Sequence, residues 1–175
     1  MIKLRNLILE DKNADVYESV KQYQNGYTVT SVQRYLRKKR QIDIPEKTTL
    51  AEYKQFLQTQ VDNIDLAIAS SKTYPVGTIF WRGVDSNSFY KDNKTTDLGY
   101  TSVAINNNEA VRTFGLGGII MKLIVGEPIK GLDMNKYLRK SDIDGEYQQE
   151  ILLERGLSFI LEKEDKLFNT YRIIK

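Results

Sequence analysis

The chain contains no cysteine and no histidine among its 175 residues, and only three prolines. Missing cysteine excludes disulfides, thiolate nucleophiles and cysteine-ligated zinc or iron-sulfur centres. Missing histidine excludes Ser-His-Asp and Cys-His machinery and imidazole metal ligation, and it removes the usual general base near neutral pH. No metal site is expected, and any catalysis must run on carboxylates, hydroxyls, amides, lysine and arginine. Long apolar runs are missing as well: nothing approaches the ~20 residues that span a bilayer. The opening residues MIKLRNLILE lack the continuous apolar stretch of an export signal. The expectation is a soluble chain without a membrane span. A secreted protein numbered from its cleavage site would read the same way, so the compartment stays open.

What is present fits one domain, since a single core usually serves ~100 to 200 residues. Mean hydropathy is -0.46 with 41% hydrophobic residues, enough apolar material for a core and unlike a disordered chain. Lys and Arg number 26 against 23 Asp and Glu, a net charge of +3. That mild excess is far from the charge density of an obligate nucleic-acid binder.

The pattern changes near Pro75. Before it, Asp15 to Gln24 and Thr30 to Arg40 read as short helices, with a break at Asn25-Gly26 and a stop at Ile44-Pro45. Leu50 to Ala69 reads as a longer helix, with Leu50, Tyr53, Leu57, Ile64 and Ile68 at mostly helical intervals. After Pro75, six segments dense in β-branched and aromatic residues read as strands: Thr78 to Val84, Leu98 to Ile105, Gly118 to Val125, Glu146 to Leu153, Leu157 to Glu162 and Thr170 to Ile174. Asn106 to Phe114 reads as a short helix, with Asn106 as N-cap and Glu109 completing a capping box. The sum is an α+β protein. A single domain spans 1–175, with a helical part over about 1–73 and a β-rich core over about 74–175.

Three fragments place a polar group on a strand otherwise built for burial: Phe80-Trp81-Arg82-Gly83, Gly99-Tyr100-Thr101-Ser102, and Gln148-Gln149-Glu150-Ile151-Leu152-Leu153. Gln148 and Glu150 lie two residues apart, on one face of their strand. In this order, and with Tyr23-Gln24-Asn25-Gly26-Tyr27 and Tyr35-Leu36-Arg37 upstream, the fragments resemble the Arg-Ser-Glu type of bacterial mono-ADP-ribosyltransferase. The likeness is to the exoenzymes that modify Rho GTPases and to the enzymatic components of binary toxins. It covers nearly the whole chain. The histidine-dependent, diphtheria-toxin-like branch of the superfamily is excluded by composition.

The resemblance implies a core of two packed, mostly antiparallel sheets with an N-terminal helical part. It implies NAD as co-substrate and transfer of ADP-ribose to a target protein, with a small GTPase as the leading class and a toxin or effector role. Its carry-over assigns Glu150 to the charge developing at the ribose, Ser102 to orienting Glu150, and Arg82 to the cofactor's phosphates. Gly83 would meet the nicotinamide carboxamide and Phe114 would pack on its ring. Arg37 is a second phosphate ligand, and Tyr23 and Tyr27 line the adenosine side. A Gln at 148, rather than Glu, points to a non-arginine acceptor. The chain departs from the family at Ser102-Val103-Ala104, where relatives carry Ser-Thr-Ser, and at Gly115-Leu116-Gly117-Gly118, where many carry an arginine. Two alternatives stay open: a nucleic-acid base as acceptor, suggested by Arg34, Arg37, Lys38, Lys39 and Arg40, and an inactive NAD-binding module. A monomer is expected.

Overall fold

A computed structural model describes residues 2–24, 26–38, 43–84, 92–108, 119–139, 150–165 and 167–175, with backbone only at 2–12, 26 and 27. Three helices come first: α1 (Ile2–Tyr23), α2 (Gly26–Leu36) and α3 (Leu50–Ala69). The helix expected at Leu50 to Ala69 has those bounds. It starts at a capping box that the sequence reading passed over: the Thr49 side chain accepts from Glu52 N–H, and the Glu52 carboxylate accepts from Thr49 N–H. That carboxylate is held below its usual range by the Thr49 side chain and backbone donors. Tyr53, Leu57, Val61, Ile64 and Ile68 share the buried face, as three-and-four spacing requires.

The first helix begins well before Asp15, and the second differs from expectation at both ends. Gly26 opens α2, and the helix stops at Leu36, far short of Pro45. Lys38 ends it locally: its φ of 52° lies in the left-handed region, and its N–H bonds back to Tyr35 O. Of the helix expected over Asn106 to Phe114, residues 107 and 108 are helical, and 109–118 lie outside the described residues.

The strands are β1 (Lys72–Tyr74), β2 (Ile79–Val84), β3 (Lys94–Thr96), β4 (Thr101–Ala104), β5 (Ile119–Val125), β6 (Ile129–Asp133), β7 (Glu150–Leu153), β8 (Ser158–Lys163) and β9 (Asn169–Ile174). A one-turn helix, α4 (Met134–Tyr137), follows β6 and is capped by the Asp133 side chain. Among the described residues these nine strands join in one order, β1-β6-β7-β4-β2-β5-β9-β8-β3, antiparallel except for β5 with β9. The α+β class and the N-terminal helical part stand. The hydrogen bonding does not divide the strands into two sheets as the resemblance implied. Instead β2 and β4 meet at a single residue pair, Trp81 with Ala104.

The sheet bends at that weak joint. Four strand spacings separate β1 from β2, or ~19 Å in a flat sheet. The Tyr74 and Phe80 rings nevertheless meet edge-to-face at 5.0 Å. Residues from both halves of the order, among them Tyr74, Val103, Ile151 and Leu153 from one half and Phe80, Leu123, Phe159 and Tyr171 from the other, pack into one buried cluster. Leu152 on the opposite face of β7, and Tyr100 just before β4, enter a second cluster with Val20, Tyr23, Val32, Leu57 and Ile64 of the helices.

Gly131 of β6 sits where the side chains of its neighbours β1 and β7 close over the strand. A Cβ there would lie 2.9 Å from Leu153 Cδ2, 2.9 Å from Tyr74 Cε2 and 3.0 Å from Ile151 Cγ2, all side-chain atoms of the core. Gly131→Ala should therefore lower stability by about 1 to 3 kcal/mol through overpacking. Thermal unfolding measures this, and an unchanged midpoint would mean the β1-β6-β7 edge yields without strain.

Candidate active site

Ser102 and Glu150 come together through strand register. Ala104 stands opposite Glu150 and Ser102 opposite Leu152, so Ser102 and Glu150 lie diagonally on one face of the β4-β7 pair. The Ser102 side chain hydrogen-bonds Glu150. Burial raises the Glu150 carboxyl above the ordinary glutamate range, while the Ser102 bond and the Arg82 charge pull it back down.

Arg82 lies on β2 opposite Met121, on the same face as Phe80. Its Nη1 is buried and has no hydrogen-bond partner among the described residues. A buried guanidinium N–H without an acceptor is costly and uncommon. It suits a ligand that brings oxygen acceptors. Gly83, next to it, is buried.

Tyr23 closes the helical side. It is the last residue of α1, 1% exposed, with its ring edge-on to Tyr100 at 5.7 Å. Burial pushes its phenol far up, and the Glu150 charge adds to that; Gln33, Arg37 and Arg82 act in the opposite sense. Tyr23 thus shares the electrostatic neighbourhood of the carboxylate and both guanidiniums. Its oxygen accepts from Gln33 Nε2 at 2.6 Å, and the same nitrogen donates to Tyr100 O at 2.8 Å.

Arg37 follows the end of α2 and is held by Asp97: Nε donates to Oδ1 at 2.8 Å and Nη2 to Oδ2 at 2.7 Å. The Asp97 side chain is fully buried, and Gly99 N–H donates to its Oδ1 at 2.9 Å. The guanidinium face assigned to phosphate by sequence is therefore largely committed to a carboxylate. The outer side of α2 still forms a pocket of about 320 Å³ lined by Val29, Thr30, Gln33, Arg34 and Arg37. Gln148 and Phe114 lie outside the described residues, and the side chain of Tyr27 is not described.

Sequence reading missed Gln33, Asp97 and Gly99. The first left a signal, since Gln33 and Arg37 are four apart and share a helix face. Asp97 left none, because its partner is distant in the chain. Asp97→Ala would strip Arg37 of its carboxylate and should cost about 3 kcal/mol, the order of breaking one side of a buried pair. Urea unfolding reads it; a loss below about 1 kcal/mol would place the pair among surface bridges.

No family model matches the chain, and no curated protein matches its sequence. Solved structures do match. The Clostridium limosum C3 exoenzyme superposes with a TM-score of 0.68 at 14% identity, over 100% of this chain and 95% of that one. Plx2a, an ADP-ribosyltransferase toxin from Paenibacillus larvae, gives 0.67 at 14% identity over 91% of this chain and 86% of its own. Exoenzyme S from Pseudomonas aeruginosa, solved with human 14-3-3 protein beta and bound to carba-NAD, gives 0.60 at 15% identity, over 91% and 72%. The chain has the fold of the bacterial ADP-ribosyltransferase toxins.

Proposed function

We propose that the protein is an NAD-dependent mono-ADP-ribosyltransferase that modifies a non-arginine acceptor on a target protein, as a toxin or effector. The observation that carries this reading is Glu150, hydrogen-bonded to Ser102, with the Arg82 charge acting on it and Arg82 Nη1 buried without an acceptor among the described residues. The carba-NAD complex of exoenzyme S supports the choice of dinucleotide. When bound, NAD supplies ADP-ribose by cleavage of its nicotinamide-ribose bond through an oxocarbenium-like transition state.

Glu150, once ionised, stabilises positive charge developing beside it, and partial burial strengthens that interaction by excluding water. Ser102 holds the carboxylate in one orientation. Arg82 keeps Glu150 ionisable against burial and offers its free N–H to a phosphate or carboxamide oxygen. Gly83 presents its backbone beside the ring, Phe114 packs on it, and Tyr23, Tyr27 and Arg37 border the rest of the dinucleotide. Gln148 orients an amide or hydroxyl acceptor where a glutamate would attract a guanidinium. Part of the basic run that suggested a nucleic-acid acceptor is paired internally: Arg34 binds Asp43 at 2.7 Å and Arg37 binds Asp97. That favours a protein acceptor.

Two kinetic tests follow. Glu150→Ala should lose about 10² to 10³ in turnover with little change in NAD affinity. In the wild type, activity requires the ionised carboxylate and burial raises its pKa, so kcat/KM for nicotinamide release should rise with pH through a midpoint above 4.5. A midpoint at or below that value would remove Glu150 from the role. For the acceptor, labelled NAD offered with cell lysate should mark protein, and RNA or DNA should stay unlabelled. Gln148→Glu should keep NAD hydrolysis and lose that transfer; unchanged transfer would show that Gln148 does not read the acceptor.

A further inference from the structure

The contact between α2 and the turn before β4 is more specific than packing a helix on a strand requires. Gln33 and Arg37, one helical turn apart, both reach the segment Asp97 to Tyr100. Arg37 takes the Asp97 carboxylate. The Gln33 amide nitrogen lies between the Tyr23 phenol oxygen and the Tyr100 carbonyl. Its other end, Oε1, is buried without a hydrogen-bond partner among the described residues and lies so close over Gly99 that a Cβ there would overlap it. The same Cβ would stand 3.2 Å from Arg37 Nε. Leaving a buried amide oxygen unsatisfied costs free energy. The nitrogen ties together Tyr23 of α1, on whose phenol the Glu150 charge acts, and Tyr100, which stands directly before β4, the strand that meets Glu150.

We infer that Gln33 is a positioning residue for the Glu150 carboxylate, and that position 99 is glycine so that the Gln33 amide can hold Tyr23 and the start of β4 in a single register. Gln33 acts through these neighbours. Among the described residues, the groups that act on or feel the Glu150 charge are Ser102 from β4, Arg82 from β2 and Tyr23 from α1. Releasing the Gln33 amide frees two of these three flanks at once, lets water approach the carboxylate and loosens its aim. The kinetic part of this inference rests on the NAD reading above; the effect on the carboxylate itself does not.

The test uses Gln33→Ala, Gly99→Ala and the double variant of the full chain. Gly99→Ala keeps every other side chain, overlaps the Gln33 amide and only crowds Arg37 Nε, so it separates loss of the contact from loss of the residue. Each single variant should lower kcat for nicotinamide release about tenfold, with KM within about twofold, as a small misplacement of a reacting group does. The double variant should be no worse than the worse single one, because both remove one contact. Titration of Glu150 by carbon-13 NMR should show its midpoint moved from the wild-type value in all three. Multiplying losses in the double variant, or an unchanged Glu150 midpoint in both singles, would overturn the inference. If the wild type released no nicotinamide, the NAD reading would fall, and the Glu150 titration would still decide the positioning role.

Discussion

Asp97 has no solvent contact along its side chain, and a carboxylate so placed must be met by donors or give up its charge. The Arg37 fork and the Gly99 amide meet it. Asp97 is also fixed from the backbone side, donating to Leu157 O and accepting from Gly156 N. Arg37 belongs to the helical layer and Asp97 to the sheet, so this pair determines where one rests on the other. Replacing both partners with apolar groups of similar volume costs little; removing one leaves a buried charge, which makes the pair a device for register more than for net stability. The site depends on that register. Tyr23 comes from the helices and Ser102 and Glu150 from the strands, and they can meet in only one docking of the layers.

The site itself is poised against its own comfort. Glu150 is buried enough to resist ionisation, and Arg82 holds a buried N–H unspent among the described residues. An interior chosen only for stability would replace both with apolar groups of similar volume. Under the proposed reaction, each misfit has a use: a desolvated carboxylate interacts strongly with developing positive charge, and an unspent N–H awaits an oxygen. The free energy lost in the resting fold is the same free energy that discriminates transition state from ground state.

Much of this was legible in the sequence where the physics is local. The α3 helix has three-and-four spacing and a capping box before it. The strands β2, β5, β8 and β9 are apolar and β-branched, and their bounds fall within a residue of expectation. Ser102 and Glu150 could be paired by motif order alone. Other elements were silent for physical reasons. The strands β1 and β3 are three residues long, carry Lys and Thr, and gain their structure from partners distant in the chain. Gly131 and Asp133 hide β6 from any propensity reading, although close packing is what requires the glycine. Gln33 reads as an ordinary polar helix residue, and only the approach of Gly99 and Tyr100 from 60-odd positions away gives it a task.

The single pair at which β2 meets β4 has a mechanical consequence. One bridge cannot set the angle between the two halves of the sheet, so that angle is governed by what they enclose: Phe80, Tyr74, Leu123 and their neighbours act as a spacer. Arg82 rides on one half, and Ser102 with Glu150 on the other. The aperture between the guanidinium and the carboxylate is therefore tuned by the volume of hydrocarbon in the interior, and a change of one methyl group in the core can retune an electrostatic distance at the surface of the cleft.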